Sequence, residues 1–373
     1  MRDDLQDVVD EVARLLGAPA TLEDTDFTLL AFAAHPLDDG TAMDAVRTRS
    51  ILGRGSTPAT RRWFEDLGIT RARGPLRTPA DPDAGILTRL LLPVRHEDRT
   101  LGYLWLLDGG RTDPADPADP ALAAALGLAA RAGELLARRR DDDDLAGALA
   151  ATLGGPAAAR ERAGAVLADR FAGAAVALVA LRPAGGALPS DRRLPPGAAV
   201  LQDADGRSEV AVAVRLPRPA DPRGACAAAG PLVARLPAGS TAGVSDPAPA
   251  VADLPRCWAQ ARTAAAVAAV VPRLAPVASW AGLGGWRAAA ALPAPDPAVA
   301  PLLAEPALAA TAEAYLDAAG SVARTSAALG IHRQTLYSRL GRITAVTGLD
   351  LADGDTRLLV HASLRRARLP GSH

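Results

Sequence analysis

The chain has 373 residues, enough for two or three domains with separate cores, and a formal net charge of −1 that by itself points to no partner. Its basic residues are all arginine, and the missing lysine argues against a Walker A phosphate loop, a Schiff-base or pyridoxal site and a protein kinase. Two cysteines, Cys226 and Cys257, and five scattered histidines (His35, His96, His332, His361, His373) give no disulfide scaffold and no metal-ligand spacing, so no metal or cofactor is expected.

Residues 1–107 read as one α/β unit. Leu5, Val8, Val9, Val12, Leu15 and Leu16 have helical spacing that ends at Gly17. Thr21 to Phe32 has strand-like apolar content around a turn at Asp24-Thr25-Asp26. Two further apolar runs, Thr88–Arg95 and Thr100–Leu107, flank the polar turn His96-Glu-Asp-Arg99 as an antiparallel pair. This arrangement resembles the GAF and PAS modules that sense small molecules. His35, Trp63, Tyr103 and Trp105 are candidates to line an effector pocket, against the plainer reading that they are core and rim.

Residues 108–144 combine a spacer and a connecting helix. The run Asp113-Pro-Ala-Asp-Pro-Ala-Asp-Pro can be neither helix nor central strand. After it, Leu122, Leu126, Ala129, Gly133 and Leu136 repeat every four or three residues up to Arg138–Asp144. Such a stripe serves a coiled-coil seam or a helix packed on its own domain about equally well.

Residues 145–291 read as a second α/β region. Leu149–Phe171 is expected to be helical, Ala174–Leu181 a buried strand, Val210–Leu216 an alternating strand and Arg256–Val271 an alanine-rich helix. Residues 292–305, with Leu292-Pro-Ala-Pro-Asp-Pro, read as a linker that leaves the C-terminal head mobile. No stretch reaches roughly 18 uninterrupted apolar residues, and the start, Met1-Arg-Asp-Asp-Leu, is acidic and lacks an apolar signal core. The expectation is a cytoplasmic protein without membrane contact.

The head, residues 306–373, carries the most informative pattern. Ser321 is a natural N-cap for a helix running to Leu329, and Gly330 stands where that helix must stop and turn. Leu336, Leu340 and Ile343 then form an inward stripe on a second helix that ends at Gly348. From Ser321 to Thr347 there are four arginines and no acid, the pattern of a helix-turn-helix facing DNA. Arginine suits guanine, glutamine suits adenine, and a helix N-terminus suits phosphate. The expected contact residues are Ser321, His332, Arg333, Gln334, Thr335, Tyr337, Ser338, Arg339 and Arg342. An ordinary αα-hairpin with a solvated basic face is the plainer alternative.

The stretches Tyr315-Leu-Asp, Leu329-Gly-Ile-His-Arg-Gln-Thr-Leu, Arg339-Leu-Gly-Arg-Ile and Thr347-Gly-Leu-Asp-Leu resemble the C-terminal domain of PucR-type regulators, named for purine catabolism and sugar diacids. Ser326 departs from that pattern where the family has alanine, and Ser338 where it has tyrosine. Within such regulators, Ala242-Gly-Val-Ser-Asp with Leu254-Pro-Arg-Cys-Trp resembles a degenerate GGDEF-like domain that has lost the signature loop. The resemblance implies a multidomain α/β plus all-α chain: GAF/PAS-like sensor, degenerate middle domain and helix-turn-helix. It implies a non-enzymatic regulator that binds double-stranded DNA, answers a small-molecule effector and forms a homodimer or higher homo-oligomer. A signalling scaffold docking a protein, or a nucleotide-handling enzyme, are the alternatives.

Overall fold

Leu5, Val8, Val9 and Val12 are buried along one face of α1 (Arg2–Leu16), which closes at Gly17 with φ +58°. The structure, a computed structural model, describes residues 2–33, 51–53, 55–188, 194–203 and 205–370. The chain divides into two units, Met1–Asp141 and Asp142–His373.

The first unit is built on an antiparallel sheet in the order β2-β1-β5-β4-β3. Its strands are β1 (Ala20–Asp24), β2 (Leu29–Ala33), β3 (Leu76–Thr78), β4 (Arg89–His96) and β5 (Arg99–Leu106). The turn expected at Asp24 forms because its carboxylate accepts from the backbone amides of Asp26 and Thr28 at 2.9 and 2.8 Å. Alternation along β4 and β5 sends side chains to two faces. Leu90, Leu92, Val94, Leu104 and Leu106 meet α1 on one face. Leu91, Tyr103 and Trp105 meet Phe27, Phe64 and Ile69 on the other, beneath α2 (Pro58–Asp66).

The spacer holds a series of aspartate turns, and Asp119 caps α3 (Pro120–Gly154) by accepting from Ala121 and Leu122. The stripe that suggested a dimer seam is already covered. Leu122, Ala125, Ala129, Ala132 and Leu136 are buried in the core of the first unit, against its own sheet. Gly133 is required there, because a Cβ would stand 1.9 Å from the Arg95 carbonyl oxygen. By length and composition α3 could cross a membrane, and about a third (33%) of its most apolar window is buried.

In the second unit the helix expected over Leu149–Phe171 is two helices. Pro156 cannot supply the amide that would continue α3, and α4 (Ala157–Phe171) starts afresh. The sheet order is β10-β9-β6-β8-β7, from β6 (Val176–Arg182), β7 (Ala199–Gln202), β8 (Ser208–Arg215), β9 (Thr241–Val244) and β10 (Val277–Ser279). The β9–β10 pair is parallel and the others are antiparallel. α5 (Arg223–Val233) covers one face; α6 (Leu254–Val270) covers the other and presses on Gly243, where a Cβ would meet the Ala261 carbonyl oxygen at 2.0 Å.

The head comprises α9 (Pro306–Asp317), α10 (Val322–Leu329), α11 (Arg333–Thr347) and α12 (Gly354–Ala367) around Leu308, Ala312, Leu316, Ile343, Val360 and Leu364. Residues 292–305 do not act as a free linker. Val299 and Leu302, on the short α8 (Ala300–Leu303) and the turn before it, are wholly buried in the head core. Arg366 donates to the carbonyls of Leu292 and Pro293 at 2.7 and 2.9 Å. Arg365 and Arg368 lie over the ring of Trp286 on α7 (Trp286–Ala291), and Leu369 joins the apolar cluster around that tryptophan. The docked head follows from contacts far apart in sequence, which the proline content of the segment does not announce.

Candidate nucleic-acid interface

Two capped helices and one left-handed glycine fix the geometry of the interface. Ser321 is extended and its hydroxyl accepts from the Arg324 amide, opening α10. Gly330 closes α10 at φ +62°, and the next amide, Ile331, donates back to the Ser326 carbonyl at 3.1 Å. His332 is the N-cap of α11, its Nδ1 accepting from the Gln334 amide at 3.3 Å. Leu336 and Ile343 are wholly buried, which fixes the rotation of α11 about its axis.

That rotation leaves His332, Arg333, Gln334, Thr335, Tyr337, Ser338 and Arg342 exposed on one side. Among the described residues nothing pairs with Arg333, so its guanidinium is available to a base or a phosphate. Tyr337 is 60% exposed, an unusual position for a tyrosine without a partner surface. Arg342 is exposed but paired with Glu305 at 3.0 Å. Arg339 departs from the expected set: it is half-buried, and its Nη1 donates to the Thr311 hydroxyl of α9 at 3.1 Å. It braces the recognition helix against α9 and is no part of the exposed face. Glu305 and Thr311 lie 37 and 28 positions upstream of these arginines, a separation that no local pattern spans.

The effector candidates divide differently. His35 lies outside the described residues, as does His373. Tyr103 and Trp105 are 2% and 3% exposed, and stack with Phe27 and Phe64 at ring distances of 4.6–6.3 Å. Trp63 sits half-buried on Phe64. The structure brings these aromatics together in one buried cluster with Phe27, Phe64 and Ile69. Tyr103 also lines a groove on the surface.

The exposed, acid-free face of α11, carried on a capped two-helix turn, defines a helix-turn-helix protein. Residues 308–366 match the PucR C-terminal helix-turn-helix domain, and this chain carries a domain of that PucR type. AdeR of Bacillus subtilis (strain 168), a DNA-binding transcriptional activator, is 26% identical over 114 residues, or 30% of this chain. The match spans about a quarter (26%) of AdeR's own length. Among solved structures, a regulator of polyketide synthase expression from Bifidobacterium adolescentis covers 61% of this chain and 98% of its own, with 15% identity and a TM-score of 0.27. PelD from Pseudomonas aeruginosa PAO1 covers 60% of this chain and 72% of its own, with 14% identity and a TM-score of 0.19. In complex with c-di-GMP it covers 62% and 76%, with 16% identity and a TM-score of 0.20. Likenesses of that size carry no argument about this chain.

Proposed function

We propose that this protein is a sequence-specific, DNA-binding transcriptional regulator acting in the cytoplasm, without catalytic activity of its own. The observation that carries the reading is the free Arg333-Gln334-Thr335 edge at the N-terminal turn of α11, where a recognition helix meets base edges. Arg324 and Arg342 are placed to meet phosphates on either side, and Tyr337 and Ser338 to extend the contact. Residues 1–107 are the GAF/PAS-like sensor, supported by the antiparallel sheet with helices on its faces, and residues 145–291 are the degenerate GGDEF-like scaffold. Two heads on one homodimer would read half-sites about one helical turn apart. A small-molecule effector changes DNA affinity by the difference in its own affinity for two arrangements of that dimer, and no more.

Binding-site selection with the full-length protein tests the reading. Arg333→Ala relaxes base preference at one position and costs about 1–3 kcal/mol at the selected site. Arg342→Ala weakens all sequences alike and lowers the salt slope by about one. If no sequence is enriched while the protein captures a protein partner through the same face, the scaffold reading replaces this one.

A further inference from the structure

On the first unit, a concave groove of about 650 Å³ lies between α2, the short helical turn Ile69–Arg71 and the β4–β5 hairpin. That volume is of the size that small-molecule sites occupy. Five arginines line it, and they are not equivalent. Arg61 is held by Glu65 at 2.7 Å and Asp26 at 3.2 Å. Arg95 donates to the Thr100 hydroxyl at 3.1 Å and the Asp98 carbonyl at 2.9 Å. Arg71, Arg73 and Arg99 are exposed, and among the described residues nothing pairs with them. Against these three cations stands one lining carboxylate outside an ion pair, Asp98. Glu65, already bound to Arg61, and the neutral hydroxyls of Thr25, Thr70, Thr100 and Tyr103 complete the lining. Burial first, and then the nearby Glu65 carboxylate, hold the Tyr103 phenol above its ordinary pKa, so it remains a donor at neutral pH.

From this convergence we infer that the groove is a binding site for a small metabolite bearing one or more oxyanion groups, carboxylate or phosphate, held by Arg71, Arg73 and Arg99. Guanidinium groups match both oxyanions in bidentate geometry, and the two bound acids on Arg61 keep that residue from competing. The groove also has a route to the rest of the chain. Arg95 contributes its side chain to the lining and its carbonyl to the contact with Gly133 of α3. Tyr103 follows Gly102, which lies against Glu23 and Leu136. A ligand that draws the hairpin inward therefore bears directly on the helix that leads out of this unit. The inference rests on the sensor reading of residues 1–107 and is independent of DNA binding by the head.

Thermal melting of the full-length protein tests it, with two arms at matched ionic strength: succinate and citrate for carboxylates, inorganic phosphate and ribose 5-phosphate for phosphates. A ligand bound by the native state alone raises the melting temperature by mass action. We expect a saturable rise of several degrees in one arm, and the arm that responds names the oxyanion. Arg71→Ser/Arg99→Ser should melt unchanged without probe and lose the rise, its apparent affinity falling at least about tenfold. No rise in either arm, or an equal rise in the double variant, overturns the site. If the double variant instead loses retention on DNA, the groove serves nucleic acid and the small-ligand assignment is overturned. A protein that fails to bind any DNA yet keeps the arginine-dependent rise would fault the regulator reading and leave the groove standing.

Discussion

Arg365 of α12 lies over the ring of Trp286, its guanidinium carbon 5.2 Å from the ring centroid, so the last helix of the head is seated on α7. Arg368 approaches the same ring at 5.4 Å, and its partner Glu313 at 2.7 Å ties the contact back to α9. Trp286→Ala should cost about 3–5 kcal/mol, the range for removing a large buried aromatic. Its specific signature is cleavage of residues 292–296 in limited proteolysis, since α12, which carries Arg366 to the Leu292 and Pro293 carbonyls, loses the ring that seats Arg365 and Arg368. Trp286→Phe retains a π face for both arginines and should restore protection. A protected segment in Trp286→Ala would mean that the head is held elsewhere.

Asp108 sets an acid limit on the first unit. Burial alone would raise its pKa, but two-point pairing with Arg77 and the amides of Thr112 and Gly110 at 3.0 and 3.2 Å outweigh it and bring it to about 2. A carboxylate whose folded pKa is depressed stabilises the fold above its unfolded pKa, near 3.8, and loses that contribution as pH falls through about 2. The contribution is about 2 kcal/mol, as Asp108 is wholly buried and Arg77 largely so. Denaturant melts from pH 5 to pH 2 should show this loss in the wild type, and Asp108→Asn should be less stable at pH 5 and flatter across the series.

Ser326 bears a cost that only the fold exposes. It is 8% exposed and its hydroxyl has no hydrogen-bond partner among the described residues, whereas Thr325 beside it donates to the Ser321 carbonyl at 2.8 Å. Ser326→Ala removes an unsatisfied buried group and improves helix propensity, so it should stabilise the head by about 1 kcal/mol. Chemical denaturation checks the sign. A destabilised variant would reveal a partner for the hydroxyl, such as a buried water.

What could be read in advance was local. The caps at Ser321 and Gly330 and the stripe Leu336–Ile343 are set within a few residues of one another, and each stands where its pattern placed it. The turn at Asp24 and the hairpin at His96–Arg99 are of the same kind. The misses depend on distant partners. The four-residue β7 has too little length to show a period and exists because β8 pairs with it. The stripe of α3 was equally compatible with a second chain, and the close approach at Gly133 decided for the chain's own sheet. Arg339 looks like every other arginine in the acid-free stretch until Thr311 is brought beside it.

Gly330 gives the most direct test of the two-helix turn. Its φ of +62° lies in the left-handed region, and a Cβ placed there would meet nothing within 4 Å, so any penalty comes from the backbone alone. Gly330→Val should cost about 1–2 kcal/mol, while asparagine, which tolerates this conformation, should cost less. Gly341 provides the control. It also faces open space, but within helical backbone, so Gly341→Ala should stabilise by about 0.8–1 kcal/mol. The ordering Gly341→Ala, wild type, Gly330→Asn, Gly330→Val in decreasing melting temperature is therefore set by backbone angle and not by volume. Because Gly330 fixes the angle at which α11 leaves α10, Gly330→Val should also lose DNA affinity beyond what its stability change explains. Full affinity together with an undisturbed melt would show that this glycine does not make the turn, and the placement of the α11 face would fall with it.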